Sequence, residues 1–191
     1  MMTGTRETRE TKIEISLGQG LAPSEIETGI GFFDHMLDLL AFHGQLELKV
    51  RCQGDLEVDF HHTVEDTGIL MGQLLLKLAE EKKNYTRYGT AHVPMDESLA
   101  RTVLDISGRP WLTFSADFAR AQVGGFDTEL VEEFFRALCV NARLTCHVDL
   151  IRGGNTHHEI EAVFKSFGQA LRIALADSGT DRVASTKGML L

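Results

Sequence analysis

The chain is poor in the residues that mark special-purpose proteins. Three cysteines, Cys52, Cys139 and Cys146, are scattered over 191 residues; they are too few for a disulfide framework and read as reduced thiols. No apolar run approaches the roughly 20 residues that a membrane helix needs, and no charged-then-apolar leader opens the chain. Positive charge is the minority: 19 Lys and Arg stand against 28 Asp and Glu, for a net charge of −9. That balance argues against nucleic acid or an anionic membrane as partner, while leaving room for a local basic pocket. The zinc-protease pattern H-E-x-x-H is absent, so protease chemistry gains no support. The expectation is one domain over 1–191 with a substantial core, in the cytoplasm.

What is present is a repeat. His61-His62-Thr63-Val64-Glu65 and His157-His158-Glu159-Ile160-Glu161 both read H-H-x-x-E, at an offset of 96 residues. Gly72-Gln73-Leu74-Leu75 and Gly168-Gln169-Ala170-Leu171 keep that offset. Two repeats are too few for a solenoid, so the reading is two fused, similar halves in one globular unit, about 6–88 and 89–180, with a tail at 181–191. If each motif opens a helix, the glutamate shares a face with either ring, at i+4 or i+3. The adjacent histidines diverge by about 100° and are not expected to hold one ion. Two such motifs, facing each other across a pseudo-twofold or a subunit contact, would instead supply two metal sites. Imidazole and carboxylate ligands without thiolate suit Mn, Fe, Co, Ni or Zn.

The rest of the chain reads as an α/β (α+β) sandwich, each half a mostly four-stranded sheet packed on helices, roughly ββαβα. Met1 to Thr5 has no apolar pattern and is expected to fray. Ile13, Ile15 and Leu17 alternate as a strand, and Gly18, Gly20 and Pro23 mark a loop. A helix carries Met36, Leu37, Leu39 and Leu40 and ends near His43-Gly44, where glycine suits a C-terminus. Strands are expected at Leu46–Val50 and, after a Gly54-Asp55 turn, at Leu56–Phe60; the first motif then opens a helix to about Lys83. The second half repeats this, with strands near Ala91–Val93, Leu99–Ile106, Trp111–Phe114 and Val148–Ile151. A Gly124-Gly125 loop precedes a helix at about 128–144, and the second motif opens one to about Ala176. His35 and Glu133 stand 26 and 24 residues before their motifs, which makes them third-segment ligand candidates. His43 and His147 read as supporting or structural, and His92 as having no role. Spacing alone leaves Arg87 a surface charge, Arg109 a hairpin residue, and Ser185-Thr186-Lys187-Gly188 either a frayed end or a phosphate-contacting loop.

Several longer motifs go further. Gly31-Phe32-Phe33-Asp34-His35-Met36-Leu37, Asp59-Phe60-His61-His62-Thr63-Val64-Glu65-Asp66, Pro94-Met95-Asp96-Glu97, Asp105-Ile106-Ser107-Gly108-Arg109 and Asn155 to Lys165 resemble the imidazoleglycerol-phosphate dehydratases of histidine biosynthesis, in order, from about Arg6 to Gly188. The resemblance implies removal of water from imidazole glycerol phosphate to give imidazole acetol phosphate. It implies a duplicated fold assembled into a 24-subunit shell, with two Mn²⁺ per site at subunit contacts. Carried over by position, the ligands are His35, His61, His62, Glu65, His157, His158 and Glu161, with an eighth at Glu133, where the family pattern often has histidine. Arg87, Arg109, Lys165, Ser185 and Lys187 would hold the phosphate, some of them from neighbouring subunits. Glu10 would contact substrate and serve, with Glu65 and Glu161, among the carboxylates that move protons.

The chemistry agrees with that reading. A poorly activated hydroxyl leaves more easily when the substrate's imidazole, held as imidazolate between two ions, acts as electron sink and passes through a diazafulvene-like state. The competing readings are a dimetal hydrolase and a metal-stapled assembly protein without turnover.

Overall fold

The computed structural model describes residues 1–82, 84–180 and 185. The first half runs β1 (Met2–Glu7), β2 (Thr11–Gln19), β3 (Glu25–Glu27), α1 (Gly31–Gly44), β4 (Leu46–Gly54) and α2 (His61–Lys82). The second half runs β5 (Tyr88–Met95), β6 (Ser98–Asp105), β7 (Trp111–Ser115), β8 (Gln122–Val123), β9 (Phe126–Asp127), α3 (Glu129–Ala142), β10 (Thr145–Arg152) and α4 (Thr156–Ala174). The sheets are ordered β1-β2-β4-β3 and β5-β6-β10-β7. Strand for strand these are the same topology, down to the parallel pairing of the short edge strand with the strand after the helix. The duplication expected from the 96-residue offset is therefore present in the fold.

The four helices form a layer between the two sheets. Helices α1 and α2 lie on the first sheet and α4 on the second, and across the middle α1 packs on α4 while α2 packs on α3. Alternation in β2 buries Ile13, Ile15 and Leu17 and turns Lys12, Glu14 and Ser16 outward. Between the sheets the core is phenylalanine-rich, with Phe33, Phe126, Phe134, Phe135, Phe164 and Phe167 fully buried. Each removes on the order of 2 kcal/mol of apolar surface from water.

The repeated glycines explain themselves here. A Cβ on Gly168 would lie 2.5 Å from the Leu40 carbonyl oxygen and 3.0 Å from the Gly44 amide. A Cβ on Gly72 would lie 2.5 Å from the Leu138 carbonyl oxygen. Both central helix pairs thus touch backbone to backbone at the repeated glycine, and Gly68, whose Cβ would lie 2.8 Å from the Phe134 carbonyl oxygen, adds a second such contact between α2 and α3. Gly168→Val is expected to lower the melting midpoint by roughly 5–10 °C, because the obstacle is a carbonyl rather than a movable side chain. An unchanged midpoint would show that α1 and α4 can separate at no cost.

Four local expectations are corrected. Residues 2–7 do not fray: β1 pairs along its whole length with β2. Its inward residues are Met2, Gly4 and Arg6, and Arg6 donates to the buried Asp66 at 2.7 Å, so a single apolar side chain is all the strand shows. The expected strand at Leu56–Phe60 is a turn, closed by Val58 N donating to Asp55 O at 2.8 Å, with Val58 64 % exposed. The left-handed cap of α1 is Gln45 rather than Gly44, as Arg143 is for α3. Gly18 and His147 sit inside strands β2 and β10 rather than in loops. Gly124 and Gly125, at φ +57° and +82°, form the two-residue turn of the β8–β9 hairpin, which demands that handedness.

Candidate active site

Both motifs open helices. Asp59 and Asn155 stand two residues before the first histidine of each and accept its backbone N–H, at 2.7 and 2.9 Å. This capping frees the helix start to display two rings. Within each motif the rings are nearly perpendicular, at 87° and 83°, with centroids 6.2 and 6.3 Å apart. Adjacent histidines diverge, as helical geometry requires.

The tightest grouping joins α1 to α4. His35 Nε2 and His157 Nε2 each lie 3.0 Å from Glu161 Oε1. On the far side Lys165 Nζ donates to Glu161 Oε2 at 2.6 Å. The Glu161 side chain is only 8 % exposed. Burial pushes its pKa up, but Lys165 and the two imidazoles outweigh it and hold the carboxyl at about 2. The donor atoms of His35, His157 and Glu161 all lie within 4.8 Å of one another, with no thiolate. That set fits a borderline divalent cation.

Its pseudo-symmetric counterpart is more open. His61 Nε2 lies 4.0 Å from Glu65 Oε2, both side chains being 40 % exposed or more. Glu133 is the fifth residue of α3 as His35 is of α1, and α3 packs on α2. Its carboxylate turns to Arg136 Nε at 3.6 Å. The structure thus brings His35 not to the motif 26 residues on in its own half but to the second-half motif, across the α1–α4 contact. Glu133 stands on α3 against α2, the helix of the first motif, with its oxygens engaged elsewhere.

The second histidine of each motif faces another way. His62 Nδ1 lies 3.0 and 3.1 Å from the Asp55 oxygens, and its Nε2 lies 3.6 Å from Glu10 Oε1. The Asp55 contact, with smaller help from the charges of Glu10 and Asp59, raises the imidazole's pKa. His158 Nδ1 lies 3.2 Å from Glu97 Oε2. Glu97 Oε1 also accepts the Asn155 N–H at 2.7 Å, and these bonds, the backbone ones first, hold its carboxyl at about 2. Sequence reasoning missed both acids as site residues. Asp55 read only as half of a turn signal, and Glu97 only as part of a longer motif.

Two of the expected phosphate ligands meet. Arg87 donates to both Asp105 oxygens, at 2.6 and 3.1 Å, and its guanidinium lies over Tyr88. Arg109 Nη2 lies 3.6 Å from Asp105 Oδ2 and is 67 % exposed. Two guanidiniums around one carboxylate leave a net positive charge at the start of β5 and the end of the β6–β7 turn. Lys165 is committed to Glu161 instead. Ser185 is half-buried, and Lys187 lies outside the described residues. His43 is partly buried, which lowers its pKa, and His92 and His147 point outward from their strands.

Paired imidazole–carboxylate groupings on a duplicated α/β sandwich, with a cationic corner at the opposite end of α4, where Arg87 N donates to Ala174 O, suit an enzyme of small, phosphorylated or otherwise anionic substrates. The comparisons name the class. The family described as imidazoleglycerol-phosphate dehydratase matches residues 28–171. Curated relatives of that name from Staphylococcus aureus are 58 % identical over 185 residues, covering 97 % of this chain and 96 % of theirs. A crystal structure of the Staphylococcus aureus dehydratase superposes with a TM-score of 0.84 at 55 % identity, covering 93 % of this chain and 99 % of that one. The Pyrococcus furiosus structure gives 0.85 at 36 % identity, covering 98 % and 100 %. The chain belongs to the imidazoleglycerol-phosphate dehydratase family, and it is an enzyme, a hydro-lyase of histidine biosynthesis. The hydrolase and assembly-protein alternatives lose their ground. Among the described residues, no helix is long and apolar enough to cross a membrane.

Proposed function

We propose that the chain dehydrates imidazole glycerol phosphate to imidazole acetol phosphate in the cytoplasm, using two divalent ions per site, Mn²⁺ by preference. His35, His61, His62, Glu65, Glu133, His157, His158 and Glu161 would hold the ions. The observation that carries this reading is the meeting of His35 and His157 at one buried carboxylate oxygen, repeated in outline by the approach of His61 to Glu65 at 4.0 Å. Because His62 and His158 turn away from their neighbours in the same motif, each would complete its site with ligands from another copy of the chain. A homo-oligomer follows, with sites at the contacts and 24 subunits as the expected size.

When bound, the ions supply Lewis acidity to the two ring nitrogens of the substrate, making that ring an electron sink. The chain's own residues handle protons and position. Hydroxide leaves from the carbon bonded to the ring, a proton leaves the neighbouring hydroxyl-bearing carbon, and the resulting enol becomes the ketone. Glu10, half-exposed and next to His62, is the carboxylate placed to take and return that proton, a role that contributes about 10²–10⁴-fold in such reactions. Glu65 and Glu161 fix the ring geometry around it. Arg87 and Arg109, with Lys165, Ser185 and Lys187, would bind the phosphate and hold the substrate in register. Some of them would reach the site from a neighbouring copy of the chain, since Arg87 lies at the end of α4 remote from Glu161.

The direct test is turnover of imidazole glycerol phosphate by the purified protein, with native mass measured alongside. Formation of the ketone by a large oligomer supports the reading. A fully active monomer would sink the shared-site proposal, and no turnover by metal-loaded oligomer would sink the substrate. Arg109→Ala, at an exposed position, is expected to raise KM about 10- to 100-fold with a smaller change in kcat. An equal fall in kcat at unchanged KM would show that Arg109 does not hold the ground-state phosphate.

A further inference from the structure

The second histidine of each motif meets a carboxylate at Nδ1 that comes from outside its own motif. His62 Nδ1 lies 3.0 Å from Asp55 in the turn after β4. His158 Nδ1 lies 3.2 Å from Glu97 at the tip of the β5–β6 hairpin. The two acids do not correspond under the duplication. Where the first half has Gly54-Asp55 after its strand, the second half has Gly153-Gly154 after β10. Glu97 has its counterpart in Glu10, the last residue before β2 as Glu97 is before β6, and Glu10 lies 3.6 Å from His62 Nε2. The Nδ1 contact itself comes from Asp55 in the first half and from Glu97 in the second.

Both acids are fixed in place. Asp55 N donates to Glu10 O at 3.1 Å, and Asp55 O accepts Val58 N at 2.8 Å. Glu97 follows Asp96, whose φ of +48° is left-handed, and its Oε1 accepts the Asn155 N–H at 2.7 Å. Gly154 is required for this: a Cβ there would lie 2.6 Å from Glu97 Cγ. Stability alone gives little reason for such care, since solvent-exposed ion pairs contribute little to folding.

We infer that Asp55 and Glu97 are positioning residues, each accepting Nδ1–H from His62 or His158 so that the lone pair on Nε2 is presented to a divalent cation. A neutral imidazole carries one N–H, and a carboxylate on Nδ1 commits that proton there and fixes the ring's direction. His62 and His158 have no glutamate of their own motif to orient them, whereas His157 has Glu161. The outward-facing rings therefore take their orientation from outside the motif. This rests on the two-metal reading above, and deepens it.

The test is Mn²⁺ titration calorimetry on the metal-stripped full-length protein and on Glu97→Gln, Asp55→Ala, Asp55→Asn, His62→Ala and His158→Ala. In Glu97→Gln the amide oxygen can still accept Asn155 N–H, but its NH₂ faces His158 Nδ1 and forces the ring proton onto Nε2. Glu97→Gln and Asp55→Ala are expected to weaken one class of Mn²⁺ sites about 10- to 100-fold. Asp55→Asn, whose amide oxygen can rotate to accept Nδ1–H, is expected to recover part of that loss. Wild-type affinity in Glu97→Gln and Asp55→Ala, while the two histidine variants lose metal, would overturn this inference alone. Affinity that falls only together with the metal-free melting midpoint or the assembly size would assign both acids to folding and overturn it too. Wild-type metal binding in the histidine variants would bring down the metal reading and this inference with it.

Discussion

Glu161→Gln is expected to remove at least about 10³-fold of kcat/KM while leaving the chain folded. The expectation follows from what meets at this side chain. Two imidazole nitrogens from different helices converge at 3.0 Å on one carboxylate oxygen, and a lysine holds the other. An amide has nearly the same shape, and its oxygen can still accept from Lys165, so packing around it is kept. What it lacks is charge. The Lewis acidity of a bound ion is worth several kcal/mol of transition-state stabilisation, and about 4 kcal/mol corresponds to the 10³-fold stated. Lys165 would also lose its anionic partner at a position only 14 % exposed, so a fall in stability of about 1–3 kcal/mol is expected. Lys165→Met in the same background separates the effects: it is expected to restore stability without restoring metal. If Glu161→Gln keeps wild-type metal content and kcat/KM, the carboxylate is structural and the proposed ligand set is wrong at its centre.

The element order was legible because the core obeys simple periods. Ile13, Ile15 and Leu17 in β2, and Leu46, Leu48 and Val50 in β4, alternate as half-buried strands do. The 96-residue offset of motif and glycine then placed the second half on the first. Failures fell where burial was achieved without apolar side chains, or where apolar side chains were not buried. In β1 the inward positions after Met2 are Gly4, lying against Leu70 and Leu74, and Arg6, paired with Asp66. Neither registers as hydrophobic pattern. At 56–60, Leu56, Val58 and Phe60 alternate as a strand would, but the turn that carries Asp55 to His62 overrides them.

The site was legible to the same extent. Contacts within a helical turn, such as His157 with Glu161, follow from sequence spacing alone. His35 was legible as a candidate from its spacing, but its partner was not: the 26-residue interval pointed to the motif of its own half, whereas the packing of α1 on α4 carries it to Glu161 in the other. Asp55 and Glu97 could not be read, because each is brought to its histidine by a different turn. Asp105, which gathers Arg87 and Arg109, was hidden for the same reason: its role depends on the pairing of β5 with β6.

Stripping divalent metal from the purified protein is expected to abolish turnover, and Mn²⁺ is expected to restore it. The pH at which activity fails should then move with the Mn²⁺ concentration. Histidine binds metal only as neutral imidazole, so protons and metal compete for the same nitrogens. Glu161 does not take part in that competition near neutrality. With its carboxyl held at about 2, it stays charged through the mildly acidic range, and any stability it contributes is lost only as pH falls toward that value. His62 is the sensitive group. Its bond to Asp55 raises its pKa, so as pH falls it gains a proton sooner than a free imidazole, whose pKa is about 6.5. Activity is therefore expected to fall below roughly pH 6–7. Tenfold more Mn²⁺ is expected to lower that midpoint by up to about one pH unit, the value for one proton displaced per ion. The Glu97→Gln and Asp55→Ala proteins should need more Mn²⁺ to reach the same midpoint. An acid limb that ignores Mn²⁺, with metal still bound on its low-pH side, would place the failing proton on a residue other than the ligands, and Glu10 would become the first to examine.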